Sequence, residues 1–147
     1  LFIFRRSVWR NVAIWMLVIS LFGSVSSCSV SADAGLAEKE VVGFHKLLGE
    51  GRFEEIYKLS SIERKKAVSE EDFVALLDSV HRKLGRVESS MRKTARVDYH
   101  TSGKYVTLVF ETRYSEGSAT ESFQFRSERT SLLLASYFIN SLELVTK

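Results

Sequence analysis

The 147-residue sequence predicts an α+β domain. N-terminal helices pack on one face of a curved, roughly four-stranded antiparallel sheet, and a signal peptide precedes them. Three observations predict this. Apolar residues recur at helical spacing up to Leu84 and at a period of two after Gly85. Short polar turns, "TSGK", "SEGS" and "ERTS", cut the second half into four runs. The first 25 residues follow an order of their own, basic and then apolar.

That head reads as an export signal. Arg5, Arg6 and Arg10 form a basic region, and residues 12–25 are apolar apart from Ser20 and Ser24. A basic region, a short apolar core and small residues after it define a secretory signal. A spanning helix would need about 20 apolar residues, more than this run offers. Both tryptophans, Trp9 and Trp15, fall in the segment. The head also holds all of the excess charge. The chain has 21 Lys+Arg against 18 Asp+Glu, and the three arginines here account for the difference. The remainder is formally neutral, without the basic footprint that nucleic-acid binding needs.

Cys28 is the sole cysteine. The stretch "VSSC" resembles a bacterial lipobox, with Val25, Ser26 and Ser27 in the aliphatic and small positions before Cys28. The resemblance implies a lipid on the Cys28 thiol and cleavage just before it. Two or three acyl chains anchor stably where one does not. It further implies residence at the cell envelope. With Ser29 after the cysteine, that is the periplasmic side of the outer membrane in a two-membrane cell. In a one-membrane cell it is the outer face of the cytoplasmic membrane. The competing expectation is a soluble secreted protein cut at "ADA", near Ala34. The expected organisation is therefore a signal peptide over 1–27, a lipidated polar tether over 28–35 and one domain over 36–147.

The domain opens with "LAEKEVVGFHKLLGEG", where Ala37, Val41, Phe44 and Leu48 repeat at helical spacing and Gly49 and Gly51 mark the end. "RFEEIYKLSS" predicts a short second helix buried through Phe53, Ile56 and Tyr57. "IERKKAV" reads as a charged connector. Ser69 and Asp72 make an acid-ended capping box for the clearest helix, "EEDFVALLDSVHRKL". Its stripe is Phe73, Leu76, Leu77, Val80 and Leu84, its last turn is cationic and Gly85 follows as the cap.

Four runs follow. In the first, Val87, Met91, Ala95, Val97 and Tyr99 share one parity, and the pattern fails near Arg92 and Lys93, which predicts a bulge. "YVTLVFETRY" turns Val106, Leu108, Phe110, Thr112 and Tyr114 inward, and "ATESFQFRSE" turns Phe123 and Phe125 inward. "LLLASYFINSLEL" is apolar on both faces, which predicts a central or covered strand.

The order of elements, with "GRFEEIYKL", "RKLGRVESSMR", "YVTLVFETRY" and "SYFIN", resembles the NTF2-like, or cystatin-like, superfamily, and in particular its small secreted bacterial proteins of unknown function. Enzymes of that superfamily place polar groups in the cone between helices and sheet, and some members dimerise through the open face of the sheet. The resemblance implies a pocket lined by Tyr99, Phe110, Tyr114, Glu121 and Phe123.

Few residues suggest chemistry. Nucleophile-elbow, zinc-helix, phosphate-loop and dinucleotide motifs are missing, so no catalytic residue, metal ligand or cofactor is assigned. His45 reads as a helix-flank residue, His81 as a helix-end cation and His100 as a polar-face residue. Glu121 shares the parity of Phe123 and Phe125. Buried, it would have a raised pKa and could act as a base; its simpler reading is a solvated residue at the frayed start of its strand. The poverty of inward polar residues favours a lipid-anchored, non-catalytic module over a small-molecule enzyme working in the cone. Expected partners are the membrane through Cys28 and an envelope protein or small apolar ligand, with the chain a monomer or a homodimer.

Overall fold

The computed structural model describes residues 27–146, with side chains from Ser31 onward. Most of the expected signal peptide, with the expected lipobox positions Val25 and Ser26, lies outside the described residues. Ser27 and Cys28 are described in backbone only. Among the described residues four helices come first: α1 Ser27–Gly49, α2 Phe53–Lys58, α3 Ile62–Ala67 and α4 Glu70–Leu84. Strands β1 Val87–His100, β2 Gly103–Tyr114, β3 Gly117–Glu128 and β4 Ser131–Asn140 then form an antiparallel meander in the order β1-β2-β3-β4. Helix α5, Leu142–Thr146, ends the described chain.

Helix α1 replaces the expected tether. Residues 29–35 are helical because the apolar stripe starts earlier than Leu36. Ala34, 1% exposed, and Ala37 lie in the core with Val41, Phe44 and Leu48. Their small side chains suit close approach to the sheet. Asp33 adds an ion pair with Lys104 of β2 at 2.5 Å.

The connector "IERKKAV" is helix α3. Ser61 caps it by accepting from the Arg64 N–H. The Ser61 N–H also donates to the Leu134 carbonyl at 2.9 Å, and Ser60 bridges to Leu134. That contact covers part of the outer edge of β4. Helix α4 keeps its expected bounds and its Ser69 cap, and buries Phe73, Leu77, Val80 and Leu84. Leu76 flanks the stripe and is partly exposed.

Three bulges decide which residues face the helices. One lies between Arg92 and Thr94, as expected, with Lys93 the extra residue. A second, between Val87 and Ser89, was not legible. Together they reverse the parity of the stretch between them. Met91 therefore faces out opposite Glu111, 58% exposed, and Arg92 reaches back to Glu38 of α1 at 2.5 Å. The third bulge leaves Ala135 unpaired, since Gln124 pairs with Ser136 and Phe125 with Leu134. It explains why β4 looked apolar on both faces. Leu134 and Tyr137 have opposite parity, yet both are buried. In the strand order β4 is an edge strand, not a central one, covered in part by Ser60 and Ser61, and the expected end of that strand, from Leu142 on, is helix α5.

The core centres on Phe123. Its ring lies 5.1 Å from Phe44, 5.1 Å from Tyr137 and 6.0 Å from Phe110. The step from α4 into β1 depends on Gly85, at φ 78° and ψ −147°, a region used essentially by glycine alone. A Cβ there would meet Ser115 Oγ at 2.2 Å. Gly85→Ala should therefore lower unfolding free energy by about 1–3 kcal/mol, measured by urea denaturation.

Candidate functional site

The sequence left Glu121 in water at a frayed strand end. The structure puts it in the middle of β3, paired with Phe110 of β2 and Ile139 of β4. It is 0% exposed. Oε1 accepts from the hydroxyls of Tyr114 and Tyr137, each at 2.8 Å. Oε2 meets His45 Nε2 at 2.8 Å. Thr112 also interacts with the carboxylate and bonds to Ser90 at 3.0 Å. Helix α1 and strands β2, β3 and β4 thus converge on one side chain.

His45 is no ordinary flank residue. It lies one turn from Val41 and one from Leu48, at the margin of the buried stripe, and its side chain is 9% exposed. Phe44 and Phe123 sit edge-on to its ring at 6.0 and 5.7 Å. With a proton on Nε2 the contact is a hydrogen bond; with both nitrogens protonated it is an ion pair.

Burial alone would raise the carboxyl pKa of Glu121. The hydrogen bond and charge of His45 outweigh it, aided by the hydroxyls of Thr112 and Tyr137, and hold the group below its ordinary value. The phenols shift the other way. Burial, then the neighbouring carboxylate charge, raises Tyr114 and Tyr137 above the ordinary phenol value, so both stay protonated donors. Taking a carboxylate out of water costs several kcal/mol. Hydrogen bonds to a charged acceptor contribute about 1.5–3 kcal/mol each, so the partners together can offset that cost.

Of the expected pocket residues, Phe110, Tyr114, Glu121 and Phe123 come together, but as packed core. Tyr99 does not join them. It shares a face with Val97, yet lies at the strand end, 72% exposed, with Lys104 Nζ 5.9 Å from its ring. Sequence reasoning missed Tyr137 and the role of His45. His45 could have been found from its spacing to Val41; Tyr137 was hidden by the β4 bulge. Among the described residues, no group of His, Cys, Asp or Glu is placed to hold a metal.

An open concavity lies elsewhere among the described residues. A trough of about 760 Å³ runs between α5 and the outer face of the sheet, near the β2–β3 turn. Met91, Glu111, Arg113, Thr120, Leu142 and Val145 line much of it. A second hollow of about 80 Å³, between α1, α2 and β4, is apolar and includes Phe44, Phe125 and Leu134.

The sealed carboxylate generates a prediction with a definite sign. Glu121 has a depressed folded-state pKa, so its contribution is complete above the ordinary carboxylate range. It is lost as pH falls through the folded value. The stability advantage of the wild type over Glu121→Gln should therefore be greatest near neutral pH and shrink in acid, read by urea denaturation across pH. His45→Ala, which strands the carboxylate, should destabilise by about 3–5 kcal/mol at neutral pH.

The chain is similar to a structure solved at 2.5 Å from Catenulispora acidiphila, at 18% identity, with a TM-score of 0.50. The similarity covers 79% of this chain and 96% of that one and shows the shared α+β fold. No curated protein matches the chain significantly. The family described as "Protein of unknown function (DUF4019)" matches residues 43–137, a span that holds His45, Tyr114, Glu121 and Tyr137. The chain belongs to the DUF4019 family.

Proposed function

We propose that this protein is exported, held at the cell envelope by a lipid on Cys28, and binds a protein partner in the trough without catalysing a reaction. The observation that carries the reading is the contrast between the two sites. Glu121, the inward residue with the best claim to acid–base chemistry, is fully buried and already accepts from His45, Tyr114 and Tyr137. The aromatic rings of Phe44, Phe110 and Phe123 fill the space a substrate would need. The trough, by contrast, is open and mixes exposed apolar groups with Glu111 and Arg113.

That lining suits side chains of a protein partner. Small-molecule sites enclose most of their ligand in roughly 300–1,000 Å³ of mainly apolar cavity. The half-open apolar hollow between α1, α2 and β4, at about 80 Å³, falls short of that.

The anchor reading rests on the lipobox resemblance. The cysteine sulfur would take a diacylglyceryl group from a phospholipid, and the thiol proton would leave with the phosphate headgroup. Helix α1 supports cleavage at Cys28 over cleavage near Ala34. A cut at Ala34 would remove the start of α1 and the Asp33–Lys104 pair. Among the described residues, no helix is long and apolar enough to cross a membrane. The NTF2-like assignment draws support from the helices-then-meander order and the helix-covered sheet.

Two experiments test the proposal in cells. Cys28→Ser should move the processed protein from the membrane to the soluble fraction. A photo-crosslinking residue at Met91 should give a discrete adduct that Arg113→Glu abolishes, while the same probe at Val42, on the exposed side of α1, gives none. Equal adducts at Met91 and Val42, or none at Met91, would refute the binding site.

A further inference from the structure

The two ends of the sheet differ, and the difference carries a statement about membrane geometry. Helix α1 begins at Ser27, so Cys28 belongs to its first turn. Five residues later Asp33 pairs with Lys104, beside the β1–β2 turn. Five residues of helix rise about 7.5 Å. The helix thus sets Cys28 close to the β1–β2 tip, with no flexible chain between them.

That tip carries amphipathic rings. Tyr99 is largely exposed beneath the Lys104 ammonium. His100 and Tyr105 lie edge to face at 5.6 Å. Tyrosine belongs to the residue types that concentrate at membrane–water interfaces, where one part of the ring is apolar and the other wet. Within the β1–β2 hairpin, Lys104 pairs with Asp33 of α1 and Arg96 with Asp98.

We propose that the β1–β2 tip, with Tyr99, His100 and Tyr105, docks on the surface of the bilayer that holds the Cys28 lipid. The inference rests on the anchor reading and adds an orientation to it. Helix α1 is a stiff mount rather than a leash. The trough lies at the other end of β2, from Lys104 to Arg113, about 30 Å away at the usual strand rise. It would face away from the lipid. Because Lys104 and Arg96 are paired with acids, docking should depend little on anionic lipid.

Tryptophan quenching tests this, since both native tryptophans precede Cys28. Full-length protein bearing Tyr99→Trp or Val145→Trp is purified from expressing bacteria and reconstituted in phosphatidylcholine vesicles. The vesicle lipids carry bromine near the top of the acyl chains. Val145 is 83% exposed on α5, at the trough. Mass spectrometry of the Cys28 peptide reports acylation, and vesicle flotation reports anchoring. The expected result is a blue shift and strong quenching for the Tyr99→Trp probe and unchanged emission for the Val145→Trp probe. Adding phosphatidylglycerol should leave both unchanged. An acylated, floating protein whose Tyr99→Trp probe is unquenched, or is quenched no more than the Val145→Trp probe, overturns the docking and leaves the anchor intact. An unacylated Cys28 peptide overturns the anchor and the docking with it.

Discussion

A single buried carboxylate constrains the architecture. Once Glu121 is placed inside the sheet's covered face, its oxygens require donors from three directions. Helix α1 supplies His45, β2 supplies Tyr114 and β4 supplies Tyr137. Each donor fixes the element that carries it. His45 sets how far α1 slides along the sheet, because a shift of one turn would strand the charge. Tyr137 sets the register of β4, and the Ala135 bulge lets Tyr137 and Leu134 both point inward. Apolar packing around Phe123 supplies bulk stabilisation and is tolerant of small shifts; the hydrogen bonds to Glu121 are not.

The same constraint separates the two ends of the domain. With the cone filled by rings and a satisfied charge, open surface is left at the sheet ends and on its outer face. At one end, α1 starts beside the aromatic β1–β2 tip. At the other, α5 folds against α4 through the bond from Lys83 Nζ to the Leu144 carbonyl, and roofs the trough. Under the proposed function, the first end carries the anchor and the second meets the partner.

Much of the fold was legible because periodicity reports burial directly. Helix α4 read correctly from its stripe, cap and glycine, and β2 and β3 from strict alternation. Failures came where a bulge changed parity. Met91 reads as inward by counting twos along a strand that inserts residues at Glu88 and Lys93. Tyr99, beyond both bulges, does share the face of Val97, but it sits at a strand end, where facing the helix side does not bring burial. The sequence points to a later start for α1 because "SVSADAG" is polar and small, a composition equally suited to a tether and to a helix packed closely on a sheet. The burial of Glu121 is hidden for a different reason. A lone inward acid has no sequence-visible partner, because its donors come from residues 45, 114 and 137 and meet only in the fold.

The central claim is that His45 and Glu121 act as one unit holding α1 to the sheet. A double-mutant cycle with His45→Phe and Glu121→Gln, read by urea unfolding at neutral pH, measures that coupling directly. The structure predicts a coupling free energy of roughly 1–3 kcal/mol, as for residues in one buried network. Effects of the two substitutions that add to within about 0.5 kcal/mol, as distant sites do, would contradict it.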